Sequence, residues 1–166
     1  MIIGYLLDTG MVSYYFAQHP NVVAKVNSLP KEAVIKVSAI TLGEIAFGHH
    51  LTHSTDHQKR EDCERFINVQ FPKAQVISVT RSTRMYYGEL KAKLFQKHPP
   101  KSTKENHPER CFDRVTGVEL GIDENDLWIA SLAIEHNLVL VTNDEMERLK
   151  SVGAPMGLTM EDWTLP

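Results

Sequence analysis

Four carboxylates stand where a sequence of this kind can do chemistry. Asp8 ends the apolar run that opens the chain. Glu44 sits in "SAITLGEIAFG", shortly after a second run. Asp126 lies in "ENDLWIASLAIEHN", and Asp144 closes "LVLVTND". Each has an ordinary structural reading. Thr41 and Glu44 have the spacing of a capping box, with Glu44 at N3. Asp123 can cap the helix that follows it, leaving Asp126 as a first-turn acid that suits the helix dipole. Asp8 and Asp144 can each cap the next helix. Together the four invite a different reading. Carboxylates gathered in one cleft repel one another and raise each other's pKa values, so such a grouping needs a compensating charge. A divalent cation supplies it. Mg²⁺ takes oxygen ligands in octahedral geometry and keeps several waters, so a few carboxylates suffice. Two such ions roughly 4 Å apart can activate a water and stabilise the leaving oxygen of a phosphodiester.

The elements around the four acids place them on one edge. Ile2–Leu7 is a nearly unbroken apolar run, the pattern of a strand covered on both faces. Val22, Val23, Val26 and Leu29 have helical spacing, and Pro30 ends that helix. Ala33–Ser38 reads as a second strand and Thr41 to about Leu51 as a helix with Ile45 and Phe47 inward. His57 to about Phe71 is a charged helix with Phe66 and Ile67 inside. Gln75–Val79 is a third strand. Ser82 to about Gln96 is a helix with Tyr87, Leu90 and Leu94 on one face. Asp123–His136 is helical, Leu138–Thr142 is a fourth strand, Asn143–Leu149 a short helix, and Gly157–Thr159 a last short strand. Strands alternating with helices imply an α/β fold, a mostly parallel sheet with helices on both faces. Ligands of such sheets bind beyond the carboxyl ends of the strands, which is where the four acids fall.

Composition narrows the class. The 166 residues fit one domain, 1–166, with enough chain for a core. Hydrophobic residues at 42% and charged ones at 23% are the proportions of a soluble globular protein. No apolar run reaches the ~20 residues of a membrane helix, and the start lacks the features of a signal peptide. Cys63 and Cys111 form no CxxC, which argues against a disulfide or thiolate-zinc scaffold and favours a cytoplasmic setting. A net charge of −3 argues against a passive nucleic-acid coat, not against a nuclease. Residues 98–117 hold three of the eight prolines and no clear period, a long polar loop. Its Lys101, Lys104, Arg110 and Arg114 are candidates to contact phosphate or a protein partner.

In "YLLDT", "SAITLGEIAFG", "NDLWIASLAIEHNLVLVTND" and "GLTMEDW", taken in order, the chain resembles the PIN-domain ribonucleases, specifically the VapC type of toxin in toxin–antitoxin pairs. The resemblance implies a three-layer α/β/α PIN-like fold, Mg²⁺ (or Mn²⁺) bound by Asp8, Glu44, Asp126 and Asp144, hydrolysis of RNA, a homodimer and a cognate antitoxin that blocks the site. On that reading Asp8, Glu44 and Asp126 hold the principal ion, and Asp144 holds a second or orients a water. Thr142 is a candidate to bond one carboxylate, or to cap locally. Arg81 and Arg84 are candidates for backbone phosphate, or simply exposed charges at a helix start. One departure stands out: the family's Asp-x-Asn is here Asp8-Thr9-Gly10. Gly10 offers no amide and permits positive φ, which points to weaker metal positioning or to a PIN-fold binding module with weakened catalysis. A phosphatase with a nucleophilic Asp needs a second acid where Gly10 stands. His49, His53 and His57 recur at one-turn spacing, but the chain has no HExxH glutamate and "STD" interrupts the helix.

Overall fold

The computed structural model describes residues 4–52, 56–102, 104 and 106–166. Five strands form one sheet: β1 Gly4–Leu7, β2 Val34–Ser38, β3 Val76–Ile77, β4 Val139–Val141 and β5 Thr159–Glu161. They lie in the order β3-β2-β1-β4-β5, every neighbouring pair parallel. Helices α1 Thr9–Phe16, α2 Pro20–Ser28, α3 Ala39–Thr52, α4 His57–Gln70, α5 Thr83–Lys97, α6 Glu124–Glu135 and α7 Glu147–Gly153 make the connections. The α/β expectation holds, in its wholly parallel form. Ile2 and Ile3 of the first expected strand lie outside the described residues.

β1 shows why its sequence is apolar on both sides. Successive side chains of a strand face opposite ways. Leu6 packs with Leu90, Leu94, Leu127, Leu132, Leu140 and Leu149 on the α5–α6–α7 side. Tyr5 and Leu7 pack with Met11, Val12, Val22, Val37 and Ile67 on the other. Each fully buried Leu contributes about 2 kcal/mol, and the two clusters share the sheet as their common wall. Gly4 allows a close approach: a Cβ there would lie 2.4 Å from Leu138 Cδ2.

Several expected boundaries move, for identifiable reasons. β2 ends at Ser38, where α3 begins, so β3 has partners only for Val76 and Ile77; Val79 leaves the sheet and is exposed. Phe47 points outward, because it stands two residues and so about 200° around α3 from buried Ile45. Residues 143–146 are not helical. Thr142 Oγ1 takes the Asp144 N–H at 3.0 Å, Met146 adopts φ 36°, and α7 starts only at Glu147. The last strand falls at Thr159–Glu161, two residues later than expected. Between 98 and 119 the described residues include a 3-10 turn at Pro108–Arg110 and antiparallel bridges Pro100–Asp113 and Phe112–Glu119.

Candidate active site

The strand order reverses between β1 and β4. β2 and β3 lie to one side of β1, β4 and β5 to the other. A crevice forms beyond the carboxyl ends at such a switch point. Asp8 follows β1 immediately and Asp144 follows β4 by three residues, so the two acids flank it.

Asp8 caps and also belongs to the crevice. Its N–H donates to Val141 O at 3.1 Å, carrying the β1–β4 pairing one residue past the strand. Its Oδ1 accepts the Met11 N–H at 2.7 Å and so caps α1. The residue is 7% exposed. Burial pushes its carboxyl up to about 6; hydrogen bonds from Thr142 and the Met11 N–H oppose this, and the charges of Asp144 and Glu44 add to it. Thr142 caps locally, its oxygen accepting the Asp144 N–H at 3.0 Å, and its hydroxyl acts against burial on the Asp8 carboxyl.

Glu44 is not in a capping box. Ser38 Oγ accepts the Thr41 N–H at 2.9 Å, so the cap is Ser38 and Glu44 lies beyond the first turn of α3. Its carboxylate is freed for the crevice and is held there at both oxygens. Thr9 Oγ1 donates to Oε2, and Asn125 Nδ2 donates to Oε1 at 2.7 Å.

Asp123 caps α6 and Asp126 lies in its first turn, as expected, but Asp126 also completes a capping box and has a perturbed carboxyl. Asp123 Oδ1 accepts the Asp126 N–H and Asp126 Oδ2 accepts the Asp123 N–H, both at 2.8 Å, a reciprocal box at the start of α6. Burial pushes Asp126 up to about 7, with the charges of Asp123, Asp144 and Glu44 adding and the hydrogen bond from the Asp123 N–H opposing. Asp144 is exposed and caps nothing, since the residue before α7 is Met146 and it makes no side-chain cap.

The structure thus brings Asp8, Glu44, Asp126 and Asp144 into one electrostatic neighbourhood. The mutual repulsion expected from the sequence is present, but burial outweighs it. The donor set is all carboxylate oxygen, which suits a hard divalent cation. Asp8 and Asp126 each feel the charges of Glu44 and Asp144, but no three of the four acids bring their oxygens within 4.8 Å of one another. Among the described residues, the three side chains whose donor atoms all lie within 4.8 Å of one another are instead His107, Glu109 and Glu124. There Lys91 Nζ already sits 2.9 and 3.0 Å from the Glu124 oxygens and supplies the positive charge.

Gly10 departs from its sequence reading. It lies inside α1 and not at positive φ. The space a Cβ would take there is bounded by Asn143 Oδ1 at 3.0 Å and Asp8 Oδ1 at 3.6 Å. The Asn143 amide oxygen, two residues past β4, therefore faces the open side of Gly10.

The model of the PIN domain family matches residues 5–154. The chain belongs to the PIN domain family. This PIN domain is similar to Ribonuclease VapC2 of Rickettsia felis, 28% identical over 162 residues and covering 96% of this chain and 97% of that one. It is also similar to Ribonuclease VapC1 of Haemophilus influenzae strain R2866, 26% identical over 166 residues and covering 96% and 98%. Among solved structures, VapBC2 from Rickettsia felis bound to a promoter DNA fragment superposes with a TM-score of 0.70 at 26% identity, covering 97% of this chain and 99% of that one. VapBC-1 from nontypeable Haemophilus influenzae gives 0.69 at 22%, covering 98% and 99%, a likeness of fold.

Three polar residues of this PIN domain's crevice escaped the sequence reading: Thr9, Asn125 and Asn143. Thr9 and Asn125 each adjoin a candidate acid, and that adjacency is the signal that marks them. Arg81 and Arg84 are exposed at the start of α5, and among the described residues neither forms an ion pair. Of the spaced histidines, His53 lies outside the described residues. α3 ends at Thr52 and Asp56 caps α4, so His49 and His57 are on different helices.

Proposed function

We propose that Asp8, Glu44, Asp126 and Asp144 form the active site of a metal-dependent endoribonuclease, the toxin of a type II toxin–antitoxin pair. The observation that carries this is geometric: Asp8 closes β1 beside β4 at the switch point of the sheet, Glu44 is held at both oxygens by Thr9 and Asn125, and Asp126 is fixed at the start of α6; burial pushes the Asp8 and Asp126 carboxyls up to about 6 and about 7. Such groups stay ionised at neutral pH when a cation neutralises them. Family membership and the VapC ribonucleases to which the chain is similar support the reaction class.

Mg²⁺ or Mn²⁺, once bound, lowers the pKa of water and offsets charge on the phosphate oxygens. The chain's own residues do the positioning. Thr9 and Asn125 fix both Glu44 oxygens, so that carboxylate presents one geometry. Thr142 and the Met11 N–H orient Asp8. Asp126 has Oδ2 committed to the Asp123 N–H and Oδ1 left for the cation. Asp144, which is exposed, would complete the carboxylate set that holds the cation.

The partners we propose are RNA as substrate, an antitoxin protein, which the VapBC complexes among the structural relatives support, and a second copy of the chain. Among the described residues no helix is long and apolar enough to cross a membrane. Cys63 and Cys111 form no disulfide, in keeping with the cytoplasm. The test is cleavage of a single-stranded RNA pool in Mg²⁺, Mn²⁺ and EDTA, beside Asp126→Asn. Metal-dependent cleavage that the variant lacks is expected. Folded, antitoxin-free protein that cuts nothing with either metal overturns the reading in favour of a binding module.

A further inference from the structure

The stretch from His98 to Ile122 presents a built outer face. Lys101 N–H donates to Phe112 O at 3.1 Å, Arg114 N–H to Pro99 O at 2.7 Å, Asp113 N–H to Val118 O at 2.9 Å and Leu120 N–H to Cys111 O at 3.0 Å. Beneath these bonds the Asp113 carboxylate, 2% exposed, bonds His98 Nδ1 at 2.9 Å and the N–H groups of Val115 and Thr116 at 2.7 and 3.0 Å. Cys111, Leu120 and Ile122 enter the core. With Cys111 and Asp113 turned inward, the alternation of an extended chain turns Phe112 outward. Its ring is 41% exposed on a backbone fixed from both sides.

One cation sits over that ring, and an arginine lies two residues to either side of it in the chain. Lys101 Nζ lies 5.4 Å from its centroid. Arg110 lines the same small pocket as Lys101 and Phe112, and Arg114 stands two residues beyond Phe112 on the outward side. All three are exposed, and among the described residues no carboxylate pairs with any of them. Asp113 is consumed by His98, and Glu109 is turned toward His107 and Glu124. An exposed aromatic ring on a fixed backbone, close to cations that no described carboxylate pairs, in a chain of net charge −3, is complementary to a single-stranded nucleic acid. The position is also apt. The stretch runs directly into Asp123 and the box that holds Asp126, and its His107 and Glu109 meet Glu124 in the first turn of α6.

We propose that this face docks a single-stranded segment of the substrate RNA, with Phe112 stacked on a base and Lys101, Arg110 and Arg114 on the flanking phosphates. The proposal rests on the ribonuclease reading and assigns the element that selects unpaired RNA for it.

The test uses the full chain in an Asp126→Asn background, titrated into a labelled RNA single strand of about 12 nucleotides and into the same sequence as a duplex. Phe112→Ala is expected to weaken single-strand binding at least about five-fold, Phe112→Tyr to restore it, and the duplex to bind weakly to all. Gln at Lys101, Arg110 or Arg114 is expected to lower the salt slope of binding by roughly 0.7 for each phosphate left unneutralised. With Asp126 intact, Phe112→Ala is expected to raise KM and spare kcat. Unchanged affinity and unchanged salt slope overturn the proposal, while metal-dependent cleavage by the same proteins leaves the ribonuclease reading standing. A Phe112→Ala protein that binds RNA normally but loses self-association in sedimentation also overturns it and makes the face a contact between copies. A wild-type chain that neither binds nor cleaves RNA overturns both readings.

Discussion

Asn125 Nδ2 donates to Glu44 Oε1 at 2.7 Å across 81 positions of sequence. With Thr9 on the other oxygen, it leaves Glu44 no freedom to swing. Groups that orient a ligand from behind typically contribute 10–100-fold to metal affinity or activity. Asn125→Ala and Thr9→Val are each expected to lower kcat/KM by about that factor. Both variants are expected to weaken Mn²⁺ binding in titration calorimetry. Asn125→Asp, which sets a like charge against Glu44, is expected to be worse than Asn125→Ala. Normal Mn²⁺ affinity in all three would remove the orienting role.

The Asp8 carboxyl makes stability depend on pH with a definite sign. Its folded-state pKa of about 6 lies above the ordinary 3.8. Its contribution is therefore fully present below about pH 4 and is lost as pH rises through about 6. Asp126 acts in the same direction up through about 7. In EDTA at pH 7.5, Asp8→Asn is expected to be more stable than wild type by about 2–3 kcal/mol. Asn caps a helix as well as Asp, so the gain is electrostatic and vanishes at pH 4. Urea unfolding at the two pH values decides it. Millimolar Mg²⁺ is expected to narrow the gap, since it binds the folded wild type. A destabilised Asp8→Asn at pH 7.5 would contradict the burial account.

Loss of any one candidate carboxylate is expected to abolish cleavage in practice. Asp8→Asn, Glu44→Gln, Asp126→Asn and Asp144→Asn should each lower kcat by on the order of 10²-fold or more. Asp126→Asn keeps an oxygen for the Asp123 N–H, so α6 should stay capped, with an unchanged circular dichroism spectrum. A single-turnover assay in Mn²⁺ separates these effects from slow product release.

Gly10→Ala is expected to change stability by less than about 1 kcal/mol. Alanine gains about 0.5–1 kcal/mol in a helix, and against this its Cβ meets Asn143 Oδ1 at 3.0 Å. The same substitution in an Asn143→Ala background has no such neighbour and should stabilise more, by about 0.5 kcal/mol. An additive double-mutant cycle would mean that the two positions do not touch.

The frame of the fold was legible in the sequence because it leaves local marks, and the four acids were legible only as candidates placed near strand ends and helix starts. The run before Asp8 is apolar on both faces because helices cover both faces, and the strand-helix alternation fixes a parallel sheet. What was not legible depends on partners far along the chain. Nothing near Glu44 reveals that Asn125 will hold it, or that Ser38 will cap α3 and leave Glu44 free of the backbone. The length of β3 depends on where β2 ends. The order within 98–122 rests on a buried His98–Asp113 pair and two isolated bridges, which have no sequence period. Nothing near Gly10 reveals that the Asn143 amide oxygen bounds the space beside it.

The placing of β4 beside β1 has a consequence during synthesis. β1 is made first and sits at the centre of the finished sheet, yet one of its edges has no partner until residues 139–141 are made. The Asp8 N–H awaits Val141, and the last of the four acids is residue 144 of 166. The crevice between β1 and β4 therefore cannot close on a growing chain until residue 144 has left the ribosome, however early Asp8 and Glu44 were made.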